Sequence, residues 1–176
     1  MNYTVVILLV VVVLAVLAFF WWGKKPHKHR NIAQDQLEEF LEALFYRGYD
    51  GGFICIEIPK SRSFIQFSKY MGTRGVVGLQ FDFPLADWSK EYYAKLSSVL
   101  NDRAVKYEIQ STGEAGVSEF LVVDLKQDVK MASYLAKLVI QDVFDLGKDD
   151  CVDLYFENVS PRNEKIGFRR EDRDRC

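Results

Sequence analysis

The sequence predicts an α+β domain, an antiparallel sheet with packed helices in the order α-β-β-β-α-β-β-α, preceded by a single transmembrane helix. Three observations support this. The N-terminus is one uninterrupted apolar run, apolar residues recur at helical spacing in three later segments, and apolar and polar residues alternate between those segments. Strands joined by short turns pair antiparallel, with helices packed on them. We therefore expect a transmembrane helix (1–23), a basic juxtamembrane linker (24–31), a globular domain (32–159) and a charged, disordered tail (160–176).

The N-terminal apolar run is long enough to cross a bilayer. Tyr3–Trp22 holds 20 residues without a charge, and as a helix it measures about 30 Å, the thickness of the hydrocarbon core. Trp21, Trp22, Lys24 and Lys25 suit the membrane interface. No positive charge precedes the run and no small-residue cleavage site ends it, which argues against a removable signal peptide. The positive-inside rule places the N-terminus outside and the domain in the cytoplasm.

The first half of the globular domain reads as one helix and three strands. Gln34–Tyr46 carries an apolar stripe one helix face wide, and glycines end it. Three strands are predicted after it, at Phe53–Ile58, Phe64–Tyr70 and Val77–Phe83. The third has the cleanest period-2 pattern of the chain, and Pro84 ends it.

The second half of the globular domain is predicted to contain two helices and two strands. Asp87 and Asp128 are plausible N-caps of two further helices. The predicted elements are the helix Trp88–Asp102, the strands Val105–Gln110 and Phe120–Leu125, and the helix Asp128–Leu146. Val152–Phe156 is a candidate for one more strand, and Ile166 and Phe168 are the only large apolar residues of the tail.

Charge and cysteine content limit the class of protein. Residues 31–159 carry 13 Lys+Arg and 21 Asp+Glu, a net charge of −8. Such a domain is a poor candidate for nucleic acid, because that affinity rests on cations that neutralise phosphates. Anionic headgroups would repel it too. Cys55, Cys151 and Cys176 form no framework pattern, and three free thiols suit a reducing compartment.

No residue pattern predicts catalysis or a metal. His27 and His29 are the only histidines and lie in the predicted linker, which excludes Ser-His-Asp and Cys-His arrangements unless the linker folds back. The acids at 149, 150 and 153 lack the spacing of a calcium loop. We predict no catalytic residue, no metal and no cofactor, and therefore a protein that is not an enzyme.

The candidate partner-binding residues are aromatic and lie around a strand end and a helix start. They are Phe81, Phe83, Trp88, Tyr92 and Tyr93. The alternative is that most of them belong to the core. One helix face cannot bury positions 88, 92 and 93 equally, and exposed aromatic side chains often mark interfaces.

The element order over residues 32 to 147, the acidity and the paired segments Phe53–Ile56 and Phe64–Phe67 resemble Tir-chaperone-like bacterial domains, which include the class I chaperones of type III secretion. The resemblance implies a protein- or peptide-binding surface, apolar grooves on the sheet and first helix, and often a homodimer. We therefore expect a non-enzymatic, chaperone-like module on the bacterial inner membrane. An immunity protein against a secreted toxin and a structural subunit of an inner-membrane assembly are the alternatives.

Overall fold

A computed structural model describes residues 27–61, 63–112 and 117–159, which form seven strands and three α-helices. The strands are β1 (His27–Ile32), β2 (Gly48–Ile58), β3 (Ser63–Met71), β4 (Val77–Ala86), β5 (Glu108–Ser111), β6 (Val117–Lys126) and β7 (Val152–Val159). The helices are α1 (Leu37–Arg47), α2 (Lys90–Asp102) and α3 (Val129–Leu138). All seven strands belong to one antiparallel sheet in the order β1-β7-β2-β3-β4-β6-β5.

The helices pack on one face of this sheet and enclose the core there. Burial alternates from Gly52 to the end of β2 and along β3 as far as Tyr70, with Ile54, Ile56 and Ile65 buried and their sequence neighbours half-buried. Strand side chains point alternately to the two faces, so the buried set belongs to the face that α1 and α3 contact. Helix α2 joins the same core through Leu96 and Leu100.

The predicted α+β class with an antiparallel sheet and packed helices is confirmed, but the order of elements is longer than predicted. The described chain runs β-α-β-β-β-α-β-β-α-β, with one extra strand at each end. The candidate strand at Val152–Phe156 is β7, which lies between β1 and β2 and extends to Val159.

The extra strand β1 corrects the prediction that residues up to 31 are linker. His29 packs its ring against Phe40 at 5.6 Å and Phe156 at 5.5 Å. On the other side of the strand, Lys28 pairs with Glu57 and lies 3.6 Å from Asp153. The basic segment thus gains an apolar contact on one face and charge partners on the other, which favours pairing with β7.

Two helix boundaries also differ from prediction for local reasons. The N-cap residue of α2 is Ser89 and not Asp87, and its side chain makes no capping hydrogen bond to the helix. The buried Ser89 Oγ accepts from the backbone N–H of Ala86 and donates to the carbonyl oxygen of Pro84, while Asp87 pairs with Lys90. Asp128 is confirmed as the cap of α3, since its carboxylate accepts from the backbone N–H of Met131 at 2.8 Å. The last predicted helix ends its α-helical part at Leu138 and continues as a π-helical turn, Val139–Val143.

The C-terminus of α1 is held by a cation from the sheet. Lys69 projects to the core face of β3 and is 9% exposed. Its Nζ donates to the carbonyl oxygens of Phe45 at 2.6 Å and Gly48 at 2.7 Å. Burial lowers the pKa of Lys69. An ammonium at a helix C-terminus satisfies carbonyls that lack helical partners and opposes the negative end of the helix dipole.

The predicted transmembrane helix (1–23), its interface residues Trp21, Trp22, Lys24 and Lys25, and the tail (160–176) lie outside the described residues. In the part of the chain from 27 onward that is described, no helix has the length and apolarity to span a bilayer. Cys151 is disulfide-bonded, so the prediction of three free thiols is wrong for this residue.

Candidate functional site

The sheet face opposite the helices is not covered by any helix of the described residues, and we call it the open face. One row of paired residues crosses it through all seven strands. From β1 to β5 this row is Lys28, Tyr155, Cys55, Gln66, Asp82, Val122 and Glu108. The open face therefore presents a continuous surface of mixed aromatic, polar and acidic side chains.

Asp82 lies at the centre of this surface within a shell of hydrogen-bond donors. It is 6% exposed. Ser68 Oγ donates to one carboxylate oxygen at 2.5 Å, and Gln80 Nε2 donates to the other at 2.7 Å. Burial raises the pKa of Asp82, while hydrogen bonds from Ser68, Gln80 and Gln66 oppose that shift. The donors are neutral, so no neighbouring cation compensates for burial of the ionised carboxylate.

Cys55 lies next to this shell and is a poor nucleophile. Its Sγ is 3.5 Å from Gln66 Oε1. Burial, reinforced by the nearby carboxylates Glu57, Glu157 and Asp82, raises the pKa of Cys55 to about 12. A reactive cysteine needs a thiolate and nearby positive charge. The position therefore supports a structural role for the thiol.

A groove of about 1100 Å³ opens at one side of the open face. It lies over β3, β4, β6 and β5 and is flanked by the chain that links α2 to β5. Tyr70 lines this groove, and its ring covers Gly78. A Cβ added at Gly78 would lie 2.4 Å from Tyr70 Cζ. Tyr70 donates its hydroxyl to Asp124 at 2.7 Å, and this bond, with burial, raises the pKa of Tyr70 to about 12.

Acidic side chains outnumber basic ones on the open face. The acids are Glu57, Asp82, Glu108, Asp124, Asp153 and Glu157, and the bases are Lys28, Arg30 and, at the rim of the groove, Lys106 and Lys126. Lys28 is already paired with Glu57 and Asp153. Within the described residues, Asp82, Glu108, Asp124 and Glu157 have no ion pair. The face thus has uncompensated negative charge beside apolar surface.

The structure divides the predicted partner-binding residues between core and surface. Phe81 and Phe83 are 0% exposed and belong to the core face, so they are not available to a partner. Tyr92 and Tyr93 are half-buried against the same core, with Tyr92 stacked on Phe144 at 4.6 Å. Trp88 is 42% exposed and packs on Phe64 at 5.1 Å, at the end of the open face. Of the five residues, Trp88 alone contacts the open face through a surface side chain.

Sequence reasoning missed the polar shell around Asp82. The signal was present as polar residues two apart on neighbouring strands, Gln66 and Ser68 on β3 and Gln80 and Asp82 on β4. Their contact depends on the register that pairs Gln66 with Asp82 and Ser68 with Gln80. Within the described ranges, no group of three His, Cys, Asp or Glu side chains could hold a metal ion.

Comparison with known proteins gives no relative from which a role could be transferred. The resemblance to Tir-chaperone-like domains therefore stays a prediction from element order and acidity. No family model, no curated protein and no solved structure matches this chain.

Proposed function

We propose that the protein is a non-enzymatic, membrane-anchored module whose open face binds an extended peptide segment of a partner protein. The single observation that supports this most strongly is the uncovered sheet face itself. Its half-buried aromatic side chains include Phe53 and Tyr155, whose rings lie 6.1 Å apart, and Phe64 beside Trp88. Amphipathic rings on an uncovered surface are typical of protein interfaces.

The groove suits a peptide with apolar side chains and with charged side chains of both signs. Tyr70, Tyr107 and Val122 supply apolar lining, and the carboxylates of Glu108 and Asp124 are accompanied by the ammonium groups of Lys106 and Lys126. Its volume of about 1100 Å³ lies at the upper end of small-molecule pockets, and it is continuous with the sheet surface. An extended segment can bury apolar side chains here while its charged side chains meet carboxylates and ammonium groups of the lining.

The anchor and orientation are part of the proposal. The apolar run and its basic flank place the domain on the cytoplasmic face of an inner membrane. The disulfide of Cys151 argues for the opposite, oxidising side. A reporter fused after Cys176 decides between them, because a reporter that needs the periplasm for activity stays inactive under our proposal.

A matched pair of tyrosine variants tests the binding surface. Tyr155 lies on the open face, and Tyr134 is 44% exposed on α3 at the helical side. In detergent extracts we expect Tyr155→Ala to reduce recovery of the partner about tenfold, the effect of an interface residue worth about 1.4 kcal/mol. Tyr134→Ala should recover as much partner as the wild type. Equal recovery by the two variants, or no partner with the wild type, would contradict the proposal.

A further inference from the structure

Four of the seven exposed large apolar side chains of the described residues lie at one end of the sheet. They are Tyr46 at the C-terminus of α1, Tyr49 at the start of β2, Met71 at the end of β3 and Val76 just before β4, and each is more than half exposed. The backbone N–H of Met71 donates to Asp50 Oδ1 at 2.8 Å, which holds the end of β3 beside the start of β2. We call this end, formed by residues 46–50 and 71–76, the anchor end. Single exposed apolar residues are ordinary on a protein surface, but a group of them at one end indicates a contact surface.

The chain enters the sheet from the same end. Strand β1 is antiparallel to β7, and β7 runs toward the anchor end, where its last residue pairs with Gly48. His27, the first residue of β1, shares a cross-strand row with Phe67 of β3. Met71 lies four residues beyond Phe67 toward the anchor end, which is about 13 Å along the strand. Strand β1 therefore runs away from the anchor end, and the predicted transmembrane helix precedes it in the chain.

We infer that the anchor end contacts the headgroup region of the bilayer that holds the anchor, with Tyr49, Met71 and Val76 inserted among the lipids. This inference rests on the proposed function for the anchor itself, and it adds a second membrane contact, made by the folded domain. The contact does not depend on which side of the membrane the domain faces.

The tether is short enough to keep the domain against the bilayer. Trp22 ends the apolar run, and His27 follows it by five residues, which span at most about 17 Å. The anchor end extends about 13 Å beyond His27 in the direction from which the chain enters the sheet. Its exposed side chains therefore come to the level at which the apolar run ends, which is the membrane interface.

The charge of the anchor end permits this contact although the whole domain is acidic. Its two segments carry Arg47 and Arg74 against Asp50, a net charge of +1. The neighbouring segment 124–130 holds two acids and two bases. The anchor end thus lacks the acidic excess that would repel anionic headgroups. Tyrosine rings favour the headgroup level, and the apolar side chains beside them gain free energy when they leave water.

Photo-crosslinking of the full chain in vesicles of phosphatidylcholine and phosphatidylglycerol tests the contact. p-Benzoylphenylalanine replaces Tyr49 or, as the matched control, Trp88, an exposed aromatic residue that packs on Phe64 at the opposite end of the sheet. Mass spectrometry counts the lipid adducts. We expect about tenfold more lipid adduct from position 49 than from position 88, the ratio that a preference of about 1.4 kcal/mol for the interface gives.

A charge placed at the anchor end distinguishes a bound contact from mere nearness to the membrane. Met71→Glu adds a carboxylate at an exposed position, and it should lower the adduct yield from position 49 about fivefold, the effect of one unit charge near an anionic surface. Ile109→Glu adds the same charge at the exposed edge strand β5 and should leave that yield unchanged. If neither variant changes the yield, the tether alone brings position 49 to the lipids and the contact is refuted.

The anchor itself is tested by the same label at Val12, in the middle of the apolar run. Lipid adducts from position 12 with none from position 49, or with equal yields from positions 49 and 88, would overturn the contact and leave the anchor standing. Adducts with protein alone from position 49 would overturn it too. No lipid adduct from position 12 would refute the anchor of the proposed function and the contact with it.

Discussion

Replacement of Lys69 by methionine is a sharp test of how α1 is fixed to the sheet. Methionine keeps most of the aliphatic length of the side chain and removes the ammonium. The carbonyl oxygens of Phe45 and Gly48, now 2.6 and 2.7 Å from Lys69 Nζ, then lose their donor. Hydrogen bonds to a charged group contribute about 1.5–3 kcal/mol each. Burial of the ammonium, which lowers the pKa of Lys69, offsets part of this.

We therefore expect Lys69→Met to lower the free energy of unfolding by about 2 kcal/mol, and Tm by about 4–8 °C for a domain of this size. The assay is urea unfolding of the full chain in detergent micelles, followed by far-UV circular dichroism. Lys130→Met is the control, because Lys130 is exposed on α3 and has no ion pair among the described residues. It should change stability by less than about 0.5 kcal/mol. If both variants unfold at the same urea concentration, the capping role of Lys69 is refuted.

Three further predictions concern the open face. Burial raises the pKa of Asp82 in the folded state above its unfolded value of about 4. The domain therefore loses stability as the pH rises from the unfolded pKa through the folded pKa, because the ionised carboxylate is less favourable in the folded state. In urea unfolding, Asp82→Asn should therefore gain stability relative to the wild type across that window, and a difference that is constant with pH would contradict this. Because the pKa of Cys55 is raised to about 12, we expect it to react with iodoacetamide at pH 8 about a thousandfold more slowly than a free thiol. Its rate should rise about tenfold for each pH unit below its pKa, as long as the fold persists. Mass spectrometry of the modified peptide measures the rate, and a rate like that of a free cysteine would refute the burial of Cys55. Gly78→Ala should cost about 1–3 kcal/mol, because the added Cβ would lie 2.4 Å from the Tyr70 ring. Wild-type stability in that variant would show that the ring moves aside freely.

The periodicity of the sequence predicts the sheet and its helices because the residues that each element buries recur at regular spacing within that element. The alternation of Leu79, Phe81 and Phe83 identifies both the strand β4 and its core face. It cannot show that Asp82, on the other face, is also buried, since that depends on Gln66 and Ser68 arriving from β3.

Strand β1 and the cap at α1 could not be predicted for the same reason. A basic segment beside an apolar run is typical of a linker, and its pairing with β7 is supported by non-local contacts, those of His29 with Phe40 and Phe156 and those of Lys28 with two carboxylates. Lys69 has the sequence signature of a solvent-exposed strand residue. Its burial follows from the position of the C-terminus of α1, which no local pattern specifies.

The central claim is that the open face is the protein-binding surface, and photo-crosslinking in native membranes tests it most directly. p-Benzoylphenylalanine is placed at Gln80 on the open face or at Glu39, which is exposed on α1 on the opposite side. Our account predicts an adduct with a partner protein from position 80 and none from position 39. An adduct from position 39 alone, or equal adducts from both positions, would contradict it.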